Sequence, residues 1–194
     1  MSTSIAHGTL RAQIAPSGLV ADAVLVLGGA LLTAAAAQIS ISLPFSPVPI
    51  TAQTFAVLGV GAALGSARGL ISMLAYVALG AIGLPFYAGG ESGWTQVSGA
   101  SGGYLIGFIA AAAITGAMAD RQLDRRISTA VGAMLTGNVV IYLIGLPWLS
   151  YKLDVGLAKT LEYGLYPFVP GDILKLYAAA AALPVAWRIV GRRR

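Results

Sequence analysis

An acid and a base at the start of the last apolar segment are the residues of this chain whose types and spacing could do chemistry. Asp172 and Lys175 lie in the stretch PFVPGDILKL, residues 167–176, and an apolar run follows as far as Trp187. Side chains three residues apart share one face of a helix. A charge at the edge of a bilayer costs about 2.5 to 3.5 kcal/mol, so it normally faces a partner, a cavity or a ligand. We expect a small-molecule site here, with a purely local Asp172–Lys175 pair as the alternative.

The composition is that of a polytopic membrane protein. Hydrophobic residues make up 57% of the 194 positions and charged residues 10%, whereas soluble domains are about 25% charged. The net charge of +5 comes from short basic clusters between apolar runs, which is typical of membrane topology and not of nucleic-acid binding. The chain has no cysteine, and its one histidine, His7, stands in the N-terminal tail. We therefore expect no metal, no cofactor and no His- or Cys-based catalysis within the membrane.

Six apolar segments predict six transmembrane helices in an all-α fold, with residues 1–194 forming one integral membrane domain. The segments cover about residues 18–40, 51–66, 69–84, 104–119, 129–149 and 171–189. The first segment is too long for the core of a cleaved signal peptide and is expected to remain in the protein. It is followed by a stretch with prolines at 44, 47 and 49, which we expect to be a stiff, irregular connection.

Two further connections contain features of their own. Residues 86–103 are rich in glycine and serine, and they form either a cap over a ligand or a plain linker. Residues 150–168 mix charged and apolar side chains, which favours a short helix at the membrane interface. The fifth segment carries Asn138, a polar residue that needs a partner on a neighbouring helix.

The distribution of basic residues predicts the orientation of the chain. With both termini in the cytoplasm, nine arginines fall on the inner side, while the outer loops hold Lys152 and Lys159. Cytoplasmic loops of membrane proteins are enriched in basic residues. Residues 1–17 are therefore predicted to be a cytoplasmic tail and residues 190–194 a basic cytoplasmic tail. The proline stretch, the glycine-rich loop and Asp172 then meet at the outer face.

The outer segments supply the candidate ligand-binding residues. A small-molecule pocket is usually apolar with a few directed polar groups. The candidates for the polar groups are Asp172, Lys175, Gln53, Tyr87, Gln96, Ser101 and Tyr104, and those for the apolar walls are Phe45, Phe86 and Trp94. The chain has no phosphate-binding loop, so ATP hydrolysis by the chain itself is not expected.

The first segment also carries a pair of small residues with helical spacing. Ala30 and Ala34 form a small-x-x-x-small pattern, which allows another helix to approach closely. The pattern serves either packing inside this chain or the docking of a partner.

Four blocks of sequence resemble the BioY family, the biotin-binding S components of energy-coupling-factor (ECF) transporters. They are LPFSPVPITAQTF, GAIGLPFYAGG, SGGYLIGF and PFVPGDILK, in that order along the chain. The resemblance implies the six-helix ECF S-component fold in a bacterial cytoplasmic membrane. It implies high-affinity binding of biotin at the outer face, under the loop between the first two helices, for uptake into the cell.

The same resemblance assigns roles to residues and partners. Asp172 and Lys175 match the acid and lysine of the family's PGDxxK block and are expected to meet the ureido ring of biotin. Ala30 and Ala34 match the spacing of the Ala-x-x-x-Ala face on which a transmembrane T component, carrying two ABC ATPases, would dock. The glycine-rich loop is expected to receive the carboxylate of biotin. The alternative from a different class is a membrane-embedded enzyme that uses Asp172 and Lys175 on a lipid-soluble substrate.

Overall fold

Eight α-helices and one β-hairpin make up the fold of a computed structural model that describes residues 9–10 and 18–191. The predicted tails, residues 1–17 and 190–194, lie largely outside the described residues. The helices are α1 (Leu19–Gln38), α2 (Gln53–Leu64), α3 (Ser66–Ala81), α4 (Trp94–Ser98), α5 (Gly102–Asp120), α6 (Ile127–Leu153), α7 (Leu157–Gly164) and α8 (Val169–Gly191). Six of them, α1, α2, α3, α5, α6 and α8, coincide with the predicted apolar segments, and α7 coincides with the predicted interfacial helix.

Not all of the predicted spans are long enough to cross a membrane as single helices. Helices α1, α5, α6 and α8 meet the length and hydropathy needed for a crossing, whereas α2 and α3 are shorter. The 12 residues of α2 rise about 18 Å, against a hydrocarbon layer of about 30 Å. Six crossings therefore remain a prediction. Four membrane-capable helices are found in the described part of the chain.

The connection between α1 and α2, which was predicted to be irregular, is instead a β-hairpin in a mostly helical fold. Strands β1 (Ser40–Leu43) and β2 (Ser46–Thr51) pair antiparallel, with Ile41 opposite Ile50. The prolines that exclude a helix lie in β2 where its pairing with β1 is irregular. The register shifts between the pairs Ile41–Ile50 and Leu43–Ser46, so that residues 47–49 of β2 stand opposite the single residue Ser42. Proline is tolerated at such a bulge because no regular ladder hydrogen bond is lost there.

The end of the fifth predicted segment also differs from expectation. The pentapeptides Ile-Gly-Leu-Pro-aromatic at 82–86 and 144–148 share a pattern that predicts the end of a helix at both places. The first does follow the end of α3, with Gly83 at φ +116°. The second lies inside α6, which runs through Pro147 to Leu153. Gly145 is helical there, and a Cβ on it would lie 2.7 Å from the ring of Tyr104.

The centre of the fold is closed by small residues where α2, α3 and α5 meet. A Cβ built on Gly61 would lie 2.5 Å from the backbone oxygen of Ala112, and one on Gly69 would lie 2.9 Å from the Cα of Gly61. Backbones can approach so closely only where side chains are absent, which is how helices associate inside a membrane. Gly61 of the second predicted segment and Gly69 of the third are therefore packing residues.

Helix α1 packs through the face that the sequence predicts to dock a partner. Ala30 is fully buried and Ala34 is 7% exposed. On the same face Thr33 lies 3.9 Å from the sulfur of Met73, and Ser72 of α3 donates to the carbonyl of Val26 at 3.0 Å. Within this chain, the spacing of Ala30 and Ala34 therefore serves packing against α3. Their role in docking a partner stays a prediction.

Candidate functional site

A cavity of about 430 Å³ opens where the hairpin, the loop around α4, and helices α2, α5, α6 and α8 meet. All seven predicted polar residues line it, although they are spread over more than 120 positions of sequence: Gln53, Tyr87, Gln96, Ser101, Tyr104, Asp172 and Lys175. The hairpin contributes Ser40, Ser42, Ser46 and Thr51 to the same wall. None of the three predicted apolar wall residues lines the cavity: Phe45 and Trp94 are 52% and 69% exposed, and Phe86 is buried against Tyr76.

Asp172 lies in the first turn of α8 and is 5% exposed. One of its carboxylate oxygens accepts from Lys175 at 2.8 Å and from Thr54 at 3.4 Å. The other accepts from the hydroxyl of Tyr142 and, at 3.4 Å, from the amide of Asn138. A buried carboxylate needs such donors to remain charged. Asp172 is therefore held in place by groups from α2, α6 and α8.

Lys175 joins the end of the hairpin to α8. Its ammonium group donates to the backbone carbonyl of Thr51 at 2.9 Å, to the hydroxyl of Thr54 at 3.2 Å and to Asp172 at 2.8 Å. These contacts use all three of its N–H donors. The two alternatives drawn from the sequence, a local pair and a ligand site, are thus compatible: the acid and base are paired, and the pair faces the cavity.

Tyr87 and Tyr104, the two predicted tyrosines of the cavity, serve as walls more than as free hydrogen-bonding groups. The hydroxyl of Tyr87 donates to the carbonyl of Val77 at 2.7 Å, and that of Tyr104 donates to the carbonyl of Gly164 at 2.9 Å. The rings of Tyr104 and Tyr142 meet edge to face with their centroids 6.3 Å apart. Because their hydroxyls are already bonded to the backbone, Tyr87 and Tyr104 offer a ligand mainly aromatic surface.

Gln53 and Gln96 are amides at different depths of the cavity. Gln53 is 6% exposed; its amide donates to the hydroxyl of Tyr76, and its oxygen accepts from Thr51 at 2.8 Å. Gln96 lies in α4 and donates to the exposed carboxylate of Glu91 at 3.1 Å. The first amide is thus fixed by the fold, whereas the second is held by another residue of the loop.

Three residues of the Asp172 network are not among the predicted site residues. They are Thr54, Asn138 and Tyr142. Asn138 is expected from the sequence to bond to a neighbouring helix, and its partner is Asp172 on α8. Tyr142 follows it by four residues and so shares its helix face. A polar residue and a tyrosine at that spacing in an apolar segment are therefore the signal that could have identified both.

Comparisons with known proteins agree on one family. The BioY family model matches residues 5–192. A probable biotin transporter BioY of Pyrococcus horikoshii is 41% identical over 160 residues, which cover 82% of this chain and 90% of that protein. The biotin transporter BioY of Rhizobium etli is 37% identical over 147 residues, covering 72% and 78%.

A solved structure supports the same assignment. It is the crystal structure of the S-component for biotin from an ECF-type ABC transporter, with a TM-score of 0.75 and 26% sequence identity. The match covers 89% of this chain and 95% of that one. These relatives are named as transporters, and the solved structure is the S-component of one. The alternative of a membrane-embedded enzyme is therefore not supported. The resemblance carried by the four sequence blocks is confirmed: this chain belongs to the BioY family.

Proposed function

We propose that this chain binds biotin in the cavity and acts as the substrate-specific S component for its uptake across the cell membrane. The observation that carries the proposal is the paired Asp172 and Lys175 at the buried end of a cavity large enough for a small ligand. The relatives described above, which are named biotin transporters, supply the identity of the ligand.

The chemistry of biotin suits that pair. Its ureido ring offers two N–H donors and one carbonyl acceptor, which a carboxylate and an ammonium group complement. Asp172 already accepts four contacts, two of them at 3.4 Å. Those two are long for hydrogen bonds, and a ligand N–H replaces them at the least cost. We infer that Thr54 and Asn138 release Asp172 to biotin, while Tyr142 and Lys175 continue to hold it.

We propose that partner proteins supply the energy for uptake. We propose that the chain crosses the cytoplasmic membrane of a bacterium six times, with both termini inside, and works with a transmembrane T component and two ABC ATPases. The similarity to a solved S-component from an ECF-type ABC transporter supports this assembly. The clustering of arginines toward the predicted inner side supports the orientation.

The direct test is biotin binding and uptake by the intact chain. Purified in detergent, the protein is expected to retain about one biotin per chain, measured by release of labelled biotin on denaturation. Cells expressing the chain with candidate T and ATPase subunits are expected to accumulate labelled biotin. A purified, folded chain that binds no biotin would refute the proposal, whereas binding without uptake in any combination would refute only the coupling.

We expect the partner to contact the outward face of α1, beside its buried alanines. Gly28 on that face is exposed, and a Cβ added there meets nothing within 4 Å. It forms an apolar groove with Leu32 and with Gly59 and Ala63 of α2. Such a smooth groove fits the close approach of a partner helix.

Gly28→Leu is accordingly expected to abolish co-purification of the T component while leaving biotin affinity unchanged. Gly132→Leu is the matched control, because Gly132 lies on α6, is exposed and also has open space around its Cβ position. Normal assembly of the Gly28→Leu variant, or equal loss in both variants, would contradict docking at this groove.

A further inference from the structure

The charges along the cavity are poorly matched to a ligand that ends in a carboxylate. Among the described residues that line it, the charged side chains are Asp172, Lys175 and Glu91. Asp172 and Lys175 pair with each other at 2.8 Å. Glu91 is therefore a negative charge that no cation of the described cavity wall balances. Glu91 would therefore repel the biotin carboxylate, although a site for a carboxylate is expected to supply a positive charge.

Glu91 lies at the solvent side of the cavity, whereas Asp172 lies at its buried end. Asp172 is 5% exposed, whereas Glu91 is exposed and follows the short 3-10 turn Ala88–Gly90. A ligand carboxylate avoids a large desolvation cost only at the exposed side. With the ureido ring at Asp172, the tail of biotin must therefore end on the side of the cavity that carries Glu91.

The amide best placed to receive that carboxylate is already engaged by Glu91. Gln96 donates from its amide nitrogen to the Glu91 carboxylate at 3.1 Å. Glu91 thus occupies the position, relative to Gln96, that a ligand carboxylate would take. Removing the charge of Glu91 would weaken its hydrogen bond with Gln96 and end the repulsion.

We propose, building on the proposed function, that Glu91 is a specificity-determining residue that disfavours a free carboxylate on the tail of the ligand. The site then binds biotin more tightly when its carboxylate is masked as an amide, including biotin joined to the ε-amino group of lysine. Two like charges near a protein surface repel weakly in a water-like medium. The expected discrimination is therefore modest, about two- to fivefold at low salt.

The test measures the affinities of the purified intact chain for biotin, biotin methyl ester and ε-biotinyl-lysine. Glu91→Gln is expected to strengthen biotin binding about two- to fivefold and to leave ester binding unchanged. The gain should shrink at about 1 M salt, where the screening length is about 3 Å. Glu162→Gln is the control, because Glu162 is an exposed acid on α7, paired with Lys159 at 3.0 Å and outside the cavity wall. It should alter neither affinity.

The outcomes separate this inference from the proposed function. If all three ligands fail to bind the folded parent protein, both the proposed function and the role of Glu91 are refuted. If biotin binds, but Glu91→Gln changes acid and ester equally or changes neither, the role of Glu91 is refuted and the biotin site stands. The ratio of acid to ester affinity is decisive, because a merely structural effect of the substitution would move both ligands together.

Discussion

Asp172→Asn is expected to weaken biotin binding by about 1 to 3 kcal/mol, roughly 5- to 150-fold in the dissociation constant. The substitution keeps the shape of the side chain but removes the charge that Lys175 meets at 2.8 Å and that the ureido N–H groups would meet. It also places an N–H donor among groups that already donate. Titration of the purified protein with labelled biotin measures the effect.

Two further variants show that the loss comes from the site. Tyr142→Phe removes one donor to Asp172 and keeps the ring, so it should cost about 1 kcal/mol. Asp154→Asn changes an exposed acid outside the cavity wall and should cost nothing. An unchanged affinity in folded Asp172→Asn would remove Asp172 from the binding site. An equal loss in Asp154→Asn would point to a general charge effect.

Gly61→Ala is expected to destabilise the fold, whereas Gly59→Ala, the same change two residues earlier on α2, is expected to stabilise it slightly. A Cβ at position 61 would lie 2.5 Å from the backbone oxygen of Ala112, so α2 and α5 would have to separate. Overpacking of this kind costs about 1 to 3 kcal/mol. At position 59 a Cβ meets nothing within 4 Å, and alanine is favoured in a helix over glycine by up to about 1 kcal/mol.

Thermal unfolding of the two variants in the same detergent tests this contrast. The midpoint of Gly61→Ala should fall below that of the parent, and the midpoint of Gly59→Ala should equal or exceed it. Equal midpoints for both variants would mean that α2 and α5 do not approach as closely as the structure indicates. Because the two substitutions add the same methyl group, a difference between them reports only the surroundings of each glycine.

Much of the site was predictable because charge inside an apolar sequence is rare. Asp172 and Lys175 could be singled out without any structure, since a charge at the membrane needs a partner or a ligand. The positive-inside pattern then predicted that the candidate loops lie on one side of the membrane. Neither argument could supply Thr54 or Tyr142, because hydroxyl groups are common in sequences and only the fold brings these two to Asp172.

The predictions that the structure corrects or leaves open share a physical cause, which is that local patterns do not specify orientation. Ala30 and Ala34 have the spacing of a docking face, but spacing alone does not say which side of α1 faces the interior. The prolines at 47 and 49 exclude a helix, yet a strand with a shift of register at these positions remains available. That strand needs its partner from residues 40–43, a contact that no single stretch of sequence reveals.

What the sequence by itself determined is the class of the protein: a helical membrane chain with an acid and a base at the start of its last helix, and with blocks that resemble the BioY family. The first two properties follow from composition and local spacing and the third from the resemblance, and none of them needs knowledge of contacts. The tertiary structure decided which faces are buried and which groups meet. The repeated pentapeptide illustrates this, since Gly83 lies beyond the end of α3 while Gly145 continues α6 against the ring of Tyr104. The same four residues, Ile-Gly-Leu-Pro, thus adopt different structures at the two places. In α6, packing against another helix offsets the hydrogen bond that Pro147 cannot make, and the local sequence does not show that packing.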